Sequence, residues 1–424
     1  MTEPRETLFW WLAGAMKFGP GALGEIGADA AGLGLARVLV VSDRQVVEAG
    51  VAARAVDALT AAGVGAQLYA DVGIEPTDES LVAAHEATRG LRVDGIVAVG
   101  GGSVIDTAKA VNLLRTNGGE LLDYVNAPVG AGRAPHAPLL PLIAAPTTAG
   151  SGSESSAVCV MDLTALHLKS GISHPALRPR LSVIDPLTTL GLPREATISS
   201  GLDVLSHTLE SLTASRFDAR PRSVGGRPTY CGSNPVSDPL CREALRLLGR
   251  SFRKTVDDGD DVAARTDMML AATLTAIGSS TAGVHIPHAC SYSVAAQVHD
   301  YRPPGFPQGR PFVPHGNAVA ATLPATLRYV APTVPDAQRS ALDALVGAGV
   351  AGASEVGERL AAGVVDLMRD IGAPRGLAEF GYATHDLPSL VDGSLKQQRL
   401  LAGAPRPVDA DVLGRILAES LHNW

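Results

Sequence analysis

Aromatic residues make up only 4% of this 424-residue chain, although 46% of it is hydrophobic. A core so poor in rings is built from Ala, Val and Leu, as helix-covered parallel sheets are. Cysteine is equally scarce. Four residues (159, 231, 241 and 290) are scattered without metal or disulfide spacing, which points to a reducing compartment. There is no basic run, and the net charge is −8 with a pI near 5.8, which disfavours nucleic acid and anionic membranes as partners. No span approaches transmembrane length. The segment LFWWLAGAM (8–16) looks superficially like a signal-peptide core, but TEPRET before it is not positive, so it is not read as one. Internal repeats and low-complexity tracts are also absent. The length suffices for two domains with substantial cores.

What is present begins with alternation. RVLVVSD (37–43), LRVDGIVAVG (91–100) and LLPLIAAP (139–146) read as short apolar strands bounded by turn residues, separated by helical stretches. That pattern predicts a parallel sheet covered by helices on both faces. Near 186–200 it changes to Ala/Leu/Arg helices (237–256, 260–278, 353–372, 408–421). The boundary falls at DPLTTLGLPREA, giving a nucleotide-binding α/β domain over 1–190 and a helical domain over 191–424.

Gly100, Gly101, Gly102 and Ser103 join the second strand to a helix whose first turns carry Asp106 and Lys109. Glycines let the backbone come close to a ligand, and the helix N-terminus behind them offers free N–H groups to a phosphate. An ordinary tight turn would rarely need three of them. The string Gly19-Pro20-Gly21-Ala22-Leu23-Gly24 also satisfies GxGxxG, but AGAMKF before it is a poor strand, so the pyrophosphate is assigned to 100–103. Asp43 ends a strong strand at the carboxyl edge of the sheet, where it would bind ribose hydroxyls and favour NAD over NADP. PTTAGSGSE (146–154) adds Thr147, Thr148 and Ser151 beside the nucleotide. Only five of the 35 basic residues are lysine, yet Lys109 and Lys169 are kept in these segments, which suggests a need for a compact ammonium.

Asp203 and His207 in GLDVLSHTLES stand at i and i+4, on one face of a helix. With His288 in HIPHACSYS and His315 in VPHGN they supply one carboxylate and three imidazoles. That donor set can hold a divalent metal and leave a position open for a substrate oxygen. An Asp-x3-His pair by itself is common on surfaces; the two later histidine motifs and the preceding nucleotide-binding half raise its weight. His285 competes with His288.

Together, FGPGA (18–22), GGGSVIDTAKA (100–110), PTTAGSGSE (146–154), LKSGIS, IDP (184–186), GLDVLSH (201–207) and PHGNAVA (314–320) resemble the iron-containing (group III) alcohol dehydrogenase family, in order along nearly the whole chain. The resemblance implies an α/β nucleotide-binding domain with a parallel sheet plus an all-α domain, the architecture shared with dehydroquinate synthase. The metal and nicotinamide would lie in the cleft between them. It implies metal ligands at Asp203, His207, His288 and His315, with NAD and Fe²⁺ or Zn²⁺ as cofactors. A lyase like dehydroquinate synthase is disfavoured by GLDVLSH and PHGNAVA.

One position departs from the family. A second histidine normally follows the third ligand by four residues; here it is Tyr292. That tyrosine, the insert 213–238 and the segment 392–408 resemble the hydroxyacid–oxoacid transhydrogenase branch. Tyr292, or a water beside it, would relay the hydroxyl proton. The insert carries Arg216, Arg220, Arg222 and Arg227, candidates for a substrate carboxylate, although a solvated basic loop would look the same. The expected activity is metal-dependent hydride transfer between a small hydroxyacid or alcohol and a nicotinamide. The alternative is an ordinary NAD-dependent alcohol dehydrogenase. A cytoplasmic homodimer is expected.

Overall fold

The structure is a computed structural model that describes residues 4–11, 13–166, 168–222, 224, 228–307, 309–347 and 355–424. It divides into two compact units: Ala13–Leu192, and Pro193–Trp424 together with Met1–Leu12.

The first unit contains strands β1 (Ala15–Phe18), β2 (Arg37–Val41), β3 (Gly65–Tyr69), β4 (Gly95–Gly100), β5 (Leu142–Pro146), β6 (Val158–Leu163), β7 (Leu168–Ser173) and β8 (Leu181–Ile184). Six of them form a sheet in the order β1-β8-β5-β4-β2-β3, every pair parallel, while β6 and β7 make an antiparallel hairpin. Side-chain alternation explains why β4 and β5 are apolar throughout. Val38, Val40, Val97, Val99, Ile143 and Ala145 face one helical layer with Ile26, Ala52 and Leu59. Leu39, Val41, Ile96, Ala98, Leu142 and Ala144 face the other, with Val104, Ile105 and Val111. Each larger side chain buried in this way contributes about 1.5–3 kcal/mol.

AMKF, a poor strand by composition, is nevertheless β1. It pairs with β8 at the sheet edge from Ala15 opposite Leu181 to Phe18 opposite Ile184. Lys17 is anchored there by Glu25 and Asp29, each at 2.7 Å. Non-local pairing decides this strand, since the segment has little β-propensity of its own.

β2 has β3 on one side and β4 on the other, so the winding reverses between β2 and β4. In open α/β sheets ligands bind outside the carboxyl ends at such a point. The loops that emerge there begin with Ser42–Asp43 and with the triple glycine.

Among the described residues the second unit has helices but no strand of its own. Its central helix, Arg194–Thr213, is buried along nearly its whole length. It lies against helix Ser237–Asp257, where a Cβ on Gly201 would come within 2.3 Å of the Phe252 ring. Helix His315–Ala321 approaches even closer: a Cβ on Gly316 would stand 1.8 Å from the Ser199 carbonyl oxygen and 2.9 Å from the Asp203 nitrogen. No single helix among the described residues is long and apolar enough to cross a membrane.

Gly316→Ala should therefore force the His315 helix away from the Asp203 helix. We expect a lower melting temperature, with overpacking worth about 1–3 kcal/mol, and reduced metal content by plasma mass spectrometry. Full metal content in a stable variant would contradict the close packing described here.

Candidate metal and nucleotide sites

In the helical unit, Asp203, His207 and His288 place one donor atom each within 4.8 Å of the others. Nε2 of His288 lies 3.7 Å from Asp203 Oδ1, and Nε2 of His315 lies 3.8 Å from the same oxygen. Two atoms about 2.1 Å from a shared tetrahedral ion would be roughly 3.4 Å apart, so little movement is needed to enclose one. The i, i+4 spacing on Arg194–Thr213 brings the first pair together. The other two histidines come from the first residue of helix His315–Ala321 and the first turn of helix Ile286–Ala296.

The hydrogen bonds fix which imidazole nitrogens remain free. His207 Nδ1 lies 3.0 Å from the Asp203 carbonyl oxygen, which can only accept, so Nδ1 carries the proton and Nε2 keeps a lone pair. The same Nδ1 is 3.0 Å from Asp203 Oδ1, but that oxygen receives no aligned hydrogen bond. His288 Nδ1 is hydrogen-bonded to Glu210 Oε2 and its Nε2 has no hydrogen-bond partner. A buried carboxylate oxygen and an imidazole nitrogen left without partners are costly unless a cation completes them. The donor set fits a divalent metal.

Glu210 is the residue that sequence reading missed. It is fully buried, and Oε1 also accepts from the backbone N–H groups of His285 (2.8 Å) and His288 (3.2 Å). It thereby sets the ring angle and tautomer of His288, as carboxylates do behind metal-bound histidines. A signal existed: in D-x3-H-x2-E, Glu210 follows Asp203 by seven residues and so shares its helix face.

The electrostatics set a competition: with Nδ1 donating to a carbonyl, a proton on His207 Nε2 would have to leave before a metal binds there. Burial alone would push the Asp203 carboxyl up, but the imidazoles of His207, His315 and His288 outweigh it and hold the group well below the usual carboxylate range. Burial opposes charge on His207, yet Asp203 raises its pKa to about 9. Glu210 is raised by burial and pulled down on balance by His288 and His285. His285 differs: burial lowers it to about 4, and its Nε2 is engaged with Thr213 Oγ1 at 3.1 Å. The Tyr292 ring is buried, with its centroid 6.4 Å from that of His315.

The arginines of the insert are placed less suggestively. Arg216 pairs with Asp218 (2.9 and 3.0 Å) and is largely exposed. Arg220 donates to the carbonyl oxygens of Tyr230 (3.2 Å) and Cys231. Arg222 is exposed, and Arg227 lies outside the described residues.

In the α/β unit Gly100 and Gly102 stand where another atom approaches closely. A Cβ on Gly100 would be 2.5 Å from Val104, and one on Gly102 would be 2.5 Å from Ser151 Oγ. Gly101 caps helix Gly102–Asn117 without any side-chain bond; its carbonyl takes the Val104 and Ile105 N–H groups, which leaves those of Gly102 and Ser103 to an anion. Thr147 donates its N–H to the Gly100 carbonyl (3.1 Å), and Thr148 lies beside Gly101. Ser103 Oγ accepts from the Glu75 N–H. In the competing GxGxxG loop, Asp185 already accepts from the N–H groups of Gly21 (3.0 Å) and Leu23 (3.1 Å), so a protein carboxylate fills that anion site.

Asp43 caps helix Arg44–Glu48, with Oδ1 accepting from the Val46 N–H at 2.9 Å; burial raises its pKa, partly offset by these backbone bonds. Asp106 and Lys109 are buried fasteners. Lys109 Nζ donates to Asp106 (3.2 Å), Ser156 Oγ (3.2 Å) and the Val158 carbonyl (2.6 Å), which explains a compact ammonium there. Asp106 Oδ2 accepts from the Val160 N–H (2.9 Å). Lys169 is buried and ion-paired with Glu75 and, at 3.6 Å, with Asp162.

Comparison with known proteins follows the same lines. Residues 13–186 match the family described as iron-containing alcohol dehydrogenase, and residues 229–421 match the C-terminal region of the Fe-containing alcohol dehydrogenase family. The mitochondrial hydroxyacid-oxoacid transhydrogenase of Xenopus tropicalis is 39% identical over 412 residues, covering 96% of this chain and 89% of that protein. Among solved structures, a 1,3-propanediol oxidoreductase superposes with a TM-score of 0.85 at 26% identity, covering 98% of this chain and all of the other. A sulfoacetaldehyde reductase from Bifidobacterium kashiwanohense, solved with NAD+, gives 0.80 at 25% identity, covering 97% and 98%.

The expectation of a cytoplasmic location is overturned by these relatives. The frog protein is named mitochondrial, as are those of rat and Caenorhabditis elegans. Scattered cysteines do not say which compartment a protein occupies. By both family matches and by identity across nearly its whole length, the chain belongs to the iron-containing alcohol dehydrogenases and is an oxidoreductase.

Proposed function

We propose that this enzyme moves hydride between a small hydroxyacid and an oxoacid by way of a nicotinamide cofactor. The observation that carries the reading is the convergence of Asp203, His207 and His288, with His315 beside them, in a chain 39% identical to a hydroxyacid-oxoacid transhydrogenase. Those four side chains would hold a divalent metal, Fe²⁺ by family, although a three-nitrogen, one-oxygen set accepts Zn²⁺ equally well. When bound, the metal supplies Lewis-acid polarisation of the substrate oxygen, and the nicotinamide stores the hydride between the two half-reactions.

The chain's own residues do the rest. Glu210 holds His288 in the tautomer whose Nε2 faces Asp203. Tyr292 would hand on the hydroxyl proton, directly or through a water. First-turn N–H groups behind Gly101, with Gly100, Gly102 and Ser103, would take the pyrophosphate; Thr147, Thr148 and Ser151 would flank the nucleotide. The Asp43 oxygen not used in capping would accept from ribose hydroxyls and repel a 2′-phosphate. Asp106 and Lys169 would act through the shape of this loop cluster, since their charges are already paired. A homodimer that engages neither nucleic acid nor membrane belongs to the same reading, supported in its second half by the net charge of −8. The second reading, a dehydrogenase that exchanges free NAD, is favoured by the likeness to 1,3-propanediol oxidoreductase.

Purified protein given 4-hydroxybutyrate and 2-oxoglutarate without added NAD should convert both. Turnover only with added NAD and simple alcohols would favour the second reading. For the metal, His315→Ala should lose metal content together with activity, and Glu210→Gln should weaken metal affinity roughly 10- to 100-fold. A His315→Ala protein with full metal content and activity would remove that ligand. Finally, Asp43→Gly should bind NADP better than the parent does, as measured by calorimetry. Unchanged discrimination would remove Asp43 from the nucleotide site.

A further inference from the structure

A hydroxyacid differs from an alcohol by one carboxylate, so an enzyme that selects it needs a cation not already neutralised. Arg216 is paired with Asp218, and Arg220 serves the carbonyls of Tyr230 and Cys231. Arg399 is placed differently. Its guanidinium lies over the Tyr230 ring, 5.1 Å from the centroid, and no salt bridge joins it to a carboxylate among the described residues. Arg399 is exposed to solvent, and desolvation is the first influence on its pKa. Burial lowers that pKa, and Tyr230 and Tyr292 together outweigh it and raise it.

Both partners are fastened just ahead of the helix that carries His288 and Tyr292. Tyr230 packs on Gly283, where a Cβ would come within 2.6 Å of its ring, and the Cys231 N–H donates to the Thr281 carbonyl at 2.6 Å. Arg399 sits on the short helix Gln398–Leu401. That helix runs into Gly403, where a Cβ would lie 3.1 Å from the Val284 carbonyl oxygen and 3.7 Å from the His285 Cβ. The Gly403 carbonyl accepts from the Ser215 N–H at 2.9 Å, beyond the end of the helix bearing Asp203 and His207. Tyr292, in turn, faces His315.

Extending the hydroxyacid reading above, we propose that Arg399, braced by the Tyr230 ring, receives the carboxylate of a short hydroxy- or oxoacid whose reacting end faces the Asp203 cluster. Arg220, by holding the Tyr230 carbonyl, is a positioning residue for that fork. A guanidinium suits the task because it presents two parallel donors to a carboxylate and keeps its charge when partly desolvated.

The test compares the wild-type holoenzyme with Arg399→Ala and Arg399→Lys, the lysine variant guarding against a simple folding defect. Turnover of 4-hydroxybutyrate and of 1-butanol is measured, and binding of succinate, an unreactive dicarboxylate, is followed by calorimetry. Arg399→Ala should lose roughly 10- to 100-fold in kcat/KM for the hydroxyacid, mostly through KM, and the same factor in succinate affinity. Butanol turnover should be unchanged, and Arg399→Lys should fall between. Equal effects on the acid and the alcohol, or succinate binding that ignores the substitution, would overturn the assignment. If the wild type fails to turn over the hydroxyacid at all, the functional reading falls, and succinate binding still decides whether Arg399 is a carboxylate receptor.

Discussion

The Asp203 carboxylate is an anion buried in the middle of a helical unit, and much of that unit is arranged to make it tolerable. An unpaired charge in such a place would be severely destabilising, so the surroundings must supply positive charge or the group must protonate. Three imidazoles approach it and hold it ionised. A second buried carboxylate, Glu210, lies on the same helix and takes the far side of one of those imidazoles. Anion, imidazole and anion thus alternate through the interior. Each hydrogen bond that steadies a ring also directs the remaining lone pair inward.

That arrangement depends on backbone approach. Ser199 and Asp203 present main-chain atoms where any side chain on Gly316 would collide, and the Phe252 ring occupies the space beside Gly201. Two helices can bring their histidine and aspartate within reach only because these positions carry no Cβ. The α/β unit relies on the same device with different chemistry. Val104 and Ser151 crowd Gly100 and Gly102, and the helix behind them begins without a side-chain cap. Its N–H groups are left to an anion, while the other glycine loop has its N–H groups taken by Asp185.

Two kinds of charge in this protein therefore have different work. Asp106, Lys109 and Lys169 are paired within the fold, where they fasten a helix and a hairpin. Asp203 Oδ1 and His288 Nε2 are left without hydrogen-bond partners. A buried group with its partners in place is structural; a buried group lacking them points to a ligand. Residue type alone does not separate these classes, which is why sequence patterning placed all of them near a site.

Periodicity and spacing were enough to determine the architecture. The runs at 37–43, 91–100 and 139–146 read as strands and contain β2, β4 and β5, and helical patterning takes over near 186–200. Asp203 and His207 were legible because four residues on a helix is a fixed distance. Edge strand β1 was not legible, because its pairing with β8 lies more than 160 residues away along the chain. Nor was the service of Glu210 to His288, which spans 78 residues and exists only when the Ile286–Ala296 helix folds back on it. The stacking of Arg399 on Tyr230 is of the same kind. Local spacing determines which side chains share a face; which faces meet, and which polar atoms are then left without a partner, is decided by packing between segments remote in sequence.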